Sequence, residues 1–263
     1  MKDFSALQGL IFDMDGVLWR GGKPLPGLRA TFSLLRKRQI PFVLATNNAT
    51  QTYEEVRSRM ENAGVTIQQN EVLTSAVGAA GYLQQHVPSG SSVFAVGGPA
   101  LRSALEEAGY LVKDSSEDVA AVVVGMDWDL TWEKLAEANY ALMNGAFFLG
   151  TNPDVSFPTE RGLAPGNGAI LAALEAATGR QATIFGKPEP YLFLEALHRM
   201  ETPAAHTVAV GDRLETDILG GKRAEMPTAL VLTGVTTNEQ VAISDIQPDW
   251  IFADLVELSR EMG

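Results

Sequence analysis

The chain has 263 residues, 46% of them hydrophobic and none of them cysteine, with a formal net charge of −12. That length supports one large or two modest domains with proper cores, and the lack of cysteine excludes disulfides, thiolate metal sites and a cysteine nucleophile. The acidic balance argues against a nucleic-acid partner, which needs basic surface, but it allows phosphate to be held by a divalent ion and a few local cations.

The opening Met1-Lys2-Asp3-Phe4-Ser5 lacks the basic and hydrophobic regions of a secretory signal, and no later apolar run approaches the length of a membrane span. A cytoplasmic protein without a membrane partner is therefore expected. An apolar strand then runs through Gly9-Leu10-Ile11-Phe12 into Asp13, Asp15 and Gly16. Residues two apart on a strand share a face, so the two acids are either turn residues or a pair that holds a hard metal ion and does chemistry beside it. The spacing of Leu28, Phe32 and Leu35 predicts a helix over 27–38, and a second helix is expected over 52–63, closed by Gly64. Between them the strand Pro41-Phe42-Val43-Leu44-Ala45 ends in Thr46-Asn47-Asn48, which either caps the next helix or presents a hydroxyl, N–H groups and amides to an anion.

From about residue 75 to 181 the alternation repeats, with helices expected near 76–86, 99–108 and 131–144 and strands at 92–96, 120–124 and 146–149. That many elements make a domain with its own sheet. Val96-Gly97-Gly98-Pro99 lacks the spacing of a dinucleotide fingerprint, and Pro99 reads as a first helical residue. Trp128 and Trp132 are expected in core packing or a subunit contact, and His86, His198 and His206 are too scattered to ligate a metal. The stretch Gly162 to Gly168 is either a flexible return to a helix near 168–178 or part of a pocket. Ile184-Phe185-Gly186 then leads into Lys187, and Thr207-Val208-Ala209-Val210 ends in Gly211-Asp212, with Asp217 five residues on. Taken singly, Lys187 reads as a solvated lysine and the two acids as a turn and a first-turn helix residue. Alternating strands and helices indicate an α/β fold with a doubly wound parallel sheet, where loops following four strands converge at the carboxyl ends.

In that order, Asp13-Met14-Asp15-Gly16, Thr46, Lys187 and Gly211-Asp212…Asp217 resemble the four motifs of the haloacid dehalogenase superfamily of aspartyl-nucleophile phosphatases, across essentially the whole chain. The insertion falls between the threonine and lysine motifs. With Thr46-Asn47-Asn48-Ala49-Thr50, Thr151-Asn152-Pro153-Asp154, Gly162-Leu163-Ala164-Pro165-Gly166-Asn167-Gly168 and Gly186-Lys187-Pro188, it resembles subclass IIA, the branch of NagD-like, 4-nitrophenylphosphatase, phosphoglycolate phosphatase and pyridoxal phosphatase members.

The resemblance implies a Rossmann-like core over 1–75 and 182–263, with a C2-type α/β cap over 76–181 that sets substrate specificity. It implies Mg²⁺-dependent hydrolysis of small phosphorylated metabolites through an aspartyl-phosphate. In that chemistry Asp13 is nucleophile and metal ligand, and Asp15 is the general acid–base whose backbone carbonyl touches the metal. Asp212 is a further metal ligand, with Asp217 behind it orienting a metal-bound water or the neighbouring loop. Thr46, the Asn47 N–H and Lys187 bind the transferring phosphoryl oxygens, and a homodimer through the cap is implied as well. A phosphotransferase or mutase would share the first half-reaction and stays open. A non-catalytic phosphometabolite-binding protein has no need of Asp15, and a receiver-like signalling domain fits the large insert poorly.

Overall fold

The computed structural model describes Phe4 and residues 7–263; the rest of the amino-terminal stretch inspected for a leader lies outside the described residues. Every residue of the strands Gly9–Phe12, Phe42–Thr46, Thr207–Gly211 and Thr228–Val231 is buried, as parallel strands covered on both faces require. They form a six-stranded sheet in the order Trp250–Phe252, Thr228–Val231, Thr207–Gly211, Gly9–Phe12, Phe42–Thr46, Val72–Thr74. Counted along these six strands, that is the doubly wound order in which the sequence reverses direction beside the first strand. Phe12 pairs with Leu44 on one side and Val210 on the other, so Asp13, Ala45 and Gly211 follow level with one another at the carboxyl edge. The helix Leu28–Arg38 buries Leu28, Phe32 and Leu35, and the Phe32 ring packs 5.3 Å from Phe12 and 4.7 Å from Phe42, centroid to centroid.

The chain divides into two units, one made of Met1–Thr46, Tyr53–Leu73 and Lys187–Gly263, the other of Asn47–Thr52 and Thr74–Gly186. The second unit has a five-stranded sheet in the order Thr183–Ile184, Phe147–Gly150, Ala121–Val124, Ser92–Val96, Leu111–Lys113, with every pairing parallel. Val96, Val122, Val124, Leu142, Phe148 and Leu171 are among the residues of its own core. Pro99 opens the helix Pro99–Glu107 behind Gly98. The Gly162 stretch is no flexible return: Gly162–Pro165 pairs antiparallel with Ser156–Thr159, and Asn167 starts the helix Asn167–Thr178.

Two expectations are corrected. The strand before Lys187 is the two-residue Thr183–Ile184, which pairs with Phe147–Gly150 in the second sheet and so does not enter the six-stranded sheet. So short a strand takes its sheet membership from its neighbours rather than from its own apolar content. Core packing of the two tryptophans is also overturned, because Trp128 is 65% and Trp132 73% exposed; Trp128 meets Phe157 edge-on at 5.4 Å instead.

Candidate active site

Asp13 is the first residue after the central strand, and its backbone N–H donates to the Val210 carbonyl at 2.8 Å, which fixes where the carboxylate begins. Lys187, 2% exposed, donates from Nζ to Asp13 Oδ1 at 2.5 Å, to Asp217 Oδ1 at 2.6 Å and to the Ala45 carbonyl at 3.2 Å. The solvated reading of this lysine is therefore wrong. Burial alone would lower its pKa, but the charges of Asp13 and Asp217 and their hydrogen bonds outweigh that and hold it raised. Asp217 is likewise no exposed helix acid. It is buried, and its Oδ2 accepts the backbone N–H groups of Asp212 at 3.3 Å and Arg213 at 3.1 Å, which ties down the turn that carries Asp212.

Asp212 follows the strand Thr207–Gly211 and is 1% exposed. Its Oδ2 accepts the Val235 N–H at 2.7 Å, while Oδ1 is buried without a hydrogen-bond partner. Two glycines make its seat. Gly16, at φ +92°, would place a Cβ 2.4 Å from Asp212 Oδ2, and Gly234 would place one at 1.8 Å, so neither position accepts a side chain. The Thr233 hydroxyl closes the seat by donating to the Gly16 carbonyl at 2.6 Å. The loop that follows Thr228–Val231 was missed in the sequence, although an apolar strand running into Thr233-Gly234 repeats the pattern of the other motif loops.

Carboxylate oxygens of Asp13, Asp212 and Asp217 lie within 4.8 Å of one another. Burial pushes Asp13 well above the ordinary carboxylate range; Lys187 opposes the shift, while Asp217 and Asp212 add to it. Burial, then the charge of Asp217, pushes Asp212 up to about 6, against the Val235 N–H, Arg213 and Lys187. One ammonium pairs with two of the three converging carboxylates, and a buried oxygen of the third, Asp212 Oδ1, has no donor. An all-oxygen donor set with surplus negative charge fits a hard divalent cation such as Mg²⁺, which would favour the ionised acids.

The remaining predicted residues take separate places. Asp15 has an exposed side chain, turned to the indole N–H of Trp19 at 2.8 Å. Thr46 is buried at the end of its strand. Asn47 opens the second unit, where its carbonyl accepts from Ser75 Oγ at 2.6 Å and Asn152 Nδ2 at 2.9 Å and its own Nδ2 donates to Asp154 at 3.1 Å. His86 stacks on Phe147 at 4.7 Å, a packing role.

The family model described as haloacid dehalogenase-like hydrolase matches residues 10–111, and a second, described as HAD hydrolase-like, matches residues 184–258. The chain is 38% identical over 262 residues to an acid sugar phosphatase of Staphylococcus saprophyticus, covering 100% of this chain and 99% of that one. Its structure superposes on a 4-nitrophenylphosphatase from Thermotoga maritima with a TM-score of 0.94 at 32% identity, covering 100% of both chains. It superposes on a glycerol phosphate phosphatase from Mycobacterium tuberculosis, solved in complex with magnesium, with a TM-score of 0.89 at 36% identity, covering 99% of this chain and 80% of that one.

Proposed function

The chain belongs to the haloacid dehalogenase-like hydrolases, in subclass IIA, and is a phosphatase; from that premise we propose that it hydrolyses small phosphorylated metabolites, with Mg²⁺, through an aspartyl-phosphate, an acyl phosphate formed on Asp13. The observation that carries the reading is the convergence of Asp13, Asp212, Asp217 and Lys187 where the strand order reverses, with Asp212 Oδ1 buried and without a partner.

Asp13 and Asp212, with the Asp15 carbonyl, would hold the cation, whose charge offsets the repulsion between a carboxylate and a phosphate dianion. A carboxylate oxygen of Asp13, whose Oδ1 is held by Lys187, attacks phosphorus. As that bond forms, the bond from phosphorus to the leaving oxygen breaks and Asp15 gives the leaving oxygen its proton. Asp15 then takes a proton from water, whose oxygen displaces Asp13 and releases inorganic phosphate. The Thr46 hydroxyl and the Asn47 N–H donate to the phosphoryl oxygens, and Lys187 offsets their charge. Asp217 holds Lys187 and the Asp212 turn in place.

In this reading the catalytic core is the unit of Met1–Thr46, Tyr53–Leu73 and Lys187–Gly263, and the insert, whose last strand Thr183–Ile184 carries it past residue 181, selects among leaving groups, with Thr151 to Asp154 and Gly162 to Gly168 contributing. No helix among the described residues is long and apolar enough to cross a membrane. A cytoplasmic location, a homodimer and the lack of a nucleic-acid partner complete the reading.

The test is release of inorganic phosphate from a panel of phosphorylated sugars, nucleotides, glycolate and pyridoxal phosphate, with no acceptor added and Mg²⁺ titrated into chelator-stripped protein. Phosphate should appear only with metal, and Asp212→Ala should raise the Mg²⁺ needed for half-maximal rate. Full activity in metal-free buffer would overturn the metal assignment. Turnover only when a sugar hydroxyl is supplied would favour the phosphotransferase.

A further inference from the structure

Asp15 stands apart from the other motif acids in what holds it. Its Oδ1 accepts the indole N–H of Trp19 at 2.8 Å, and Trp19 is only 2% exposed. Four residues separate the two in sequence, and the turn between them is closed. The N–H groups of Val17, Leu18 and Trp19 all point to the Met14 carbonyl, and the Gly16 N–H donates to the Trp19 carbonyl at 2.8 Å. Over the face of the indole lies the Arg59 guanidinium, its central carbon 3.9 Å from the ring centroid. Arg59 comes from Tyr53–Asn62, the first helix after the threonine motif.

A buried indole N–H needs an acceptor, and a backbone carbonyl in the turn would satisfy it. Here the acceptor is a motif carboxylate, and a cation is stacked on the ring that donates to it. A cation over an indole fixes the ring plane and draws electron density from it, which strengthens the N–H as a donor. The Asp15 charge in turn opposes the lowering that burial imposes on Arg59. The three side chains thus form one chain of interactions that ends on a single oxygen of Asp15.

We propose that Trp19 is a positioning residue for proton transfer: its N–H anchors Asp15 Oδ1, Arg59 holds the indole, and Asp15 Oδ2 is the atom that exchanges the proton. The inference rests on the reading of Asp15 as general acid–base. In the first half-reaction the proton on Oδ2 passes to the leaving oxygen as its bond to phosphorus breaks and the Asp13 oxygen–phosphorus bond forms. In the second, Oδ2 takes a proton from water as the water oxygen bonds to phosphorus and the Asp13 bond breaks. A carboxylate free to rotate on an exposed site would lose time in unproductive rotamers.

The test compares kcat/KM, which reports the half-reaction in which the leaving group departs, for 4-nitrophenyl phosphate and a simple alkyl phosphate. 4-Nitrophenolate leaves with little protonation, whereas an alkoxide needs the proton. Trp19→Phe keeps the ring and removes the donor. It should lower kcat/KM about ten-fold or more on the alkyl phosphate, as the loss of a hydrogen bond to a charged group implies, and change it little on 4-nitrophenyl phosphate. Inhibition by inorganic phosphate should stay at wild-type strength. Added to Asp15→Asn, Trp19→Phe should cost nothing further, since the two act as one unit. Arg59→Met, from a half-buried position, should show the same contrast more weakly, and it decides the matter if Trp19→Phe does not fold. Equal losses on both substrates, or a loss only in phosphate affinity, would overturn the positioning role. If Asp15→Asn itself shows no contrast, the general-acid reading fails and this inference with it. A contrast in Asp15→Asn that is missing from Trp19→Phe and Arg59→Met sinks the inference alone.

Discussion

Each of the two units contains a lysine that meets a buried aspartate, and the two arrangements behave differently. In the second unit Lys134 donates to Asp127 Oδ2 at 2.9 Å and to the Asp129 carbonyl at 3.0 Å, and Asp127 Oδ1 accepts the Asp129 N–H at 2.9 Å. One carboxylate meets one ammonium, both Asp127 oxygens are satisfied, and the Lys134 side chain is 38% exposed. In the first unit Lys187, whose side chain is 3% exposed, serves two carboxylates while a third lies beside them with one oxygen unpaired. A balanced pair at the start of a helix is structure. An unbalanced, largely buried group keeps its charges only if the surroundings are built to tolerate them, which is the condition for binding a cation and a phosphate.

The strongest way to break this contrast is at Asp13. Asp13→Asn is nearly isosteric and keeps an acceptor for Lys187, so the fold should survive while steady-state turnover falls on the order of 10⁴-fold or more. Substantial activity in a well-folded variant would remove Asp13 as nucleophile. Next in size is Lys187→Met, which leaves Asp13 and Asp217 facing each other with no buried cation. Denaturant unfolding in metal-free buffer should show a loss of about 3–5 kcal/mol, the usual cost of breaking a buried ion pair from one side. The smallest effect is expected at the balanced pair. Asp127→Ala strands Lys134 near solvent, so unfolding should lose only about 1–2 kcal/mol and kcat should not change. A large kcat effect there would erase the distinction between the two arrangements.

How far the sequence disclosed this arrangement depended on the kind of signal. Buried parallel strands read as continuous apolar runs, so Gly9–Phe12, Phe42–Thr46 and Thr207–Gly211 were legible along with the polar residues that end them. The sheet that a two-residue strand joins is not a local property, and Thr183–Ile184 was placed on the wrong side of that choice. Lys187 is an ordinary lysine by composition; only partners 174 and 30 residues away make it a buried cation. The exposure of Trp128 and Trp132 was equally hidden, because an aromatic side chain has the same identity whether or not something covers it. The seat of Asp212 was hidden for another reason: it depends on the clearance at Gly16 and Gly234, measured in fractions of a side chain.

The division of the first unit into separate stretches has a consequence for how the chain is made. Its central strand, Gly9–Phe12, is synthesised early in this stretch of chain relative to its partner Thr207–Gly211, which emerges only after the whole of Thr74–Gly186. At ribosomal speeds of about 5–20 residues per second that delay is roughly ten to forty seconds. Throughout it the nascent chain carries four consecutive residues, Gly9-Leu10-Ile11-Phe12, destined for burial but still open along one edge, the kind of exposed edge that pairs with other chains. The second unit, meanwhile, has every strand of its sheet in hand before Lys187 is added. Biosynthesis therefore completes the insert first and the catalytic sheet last.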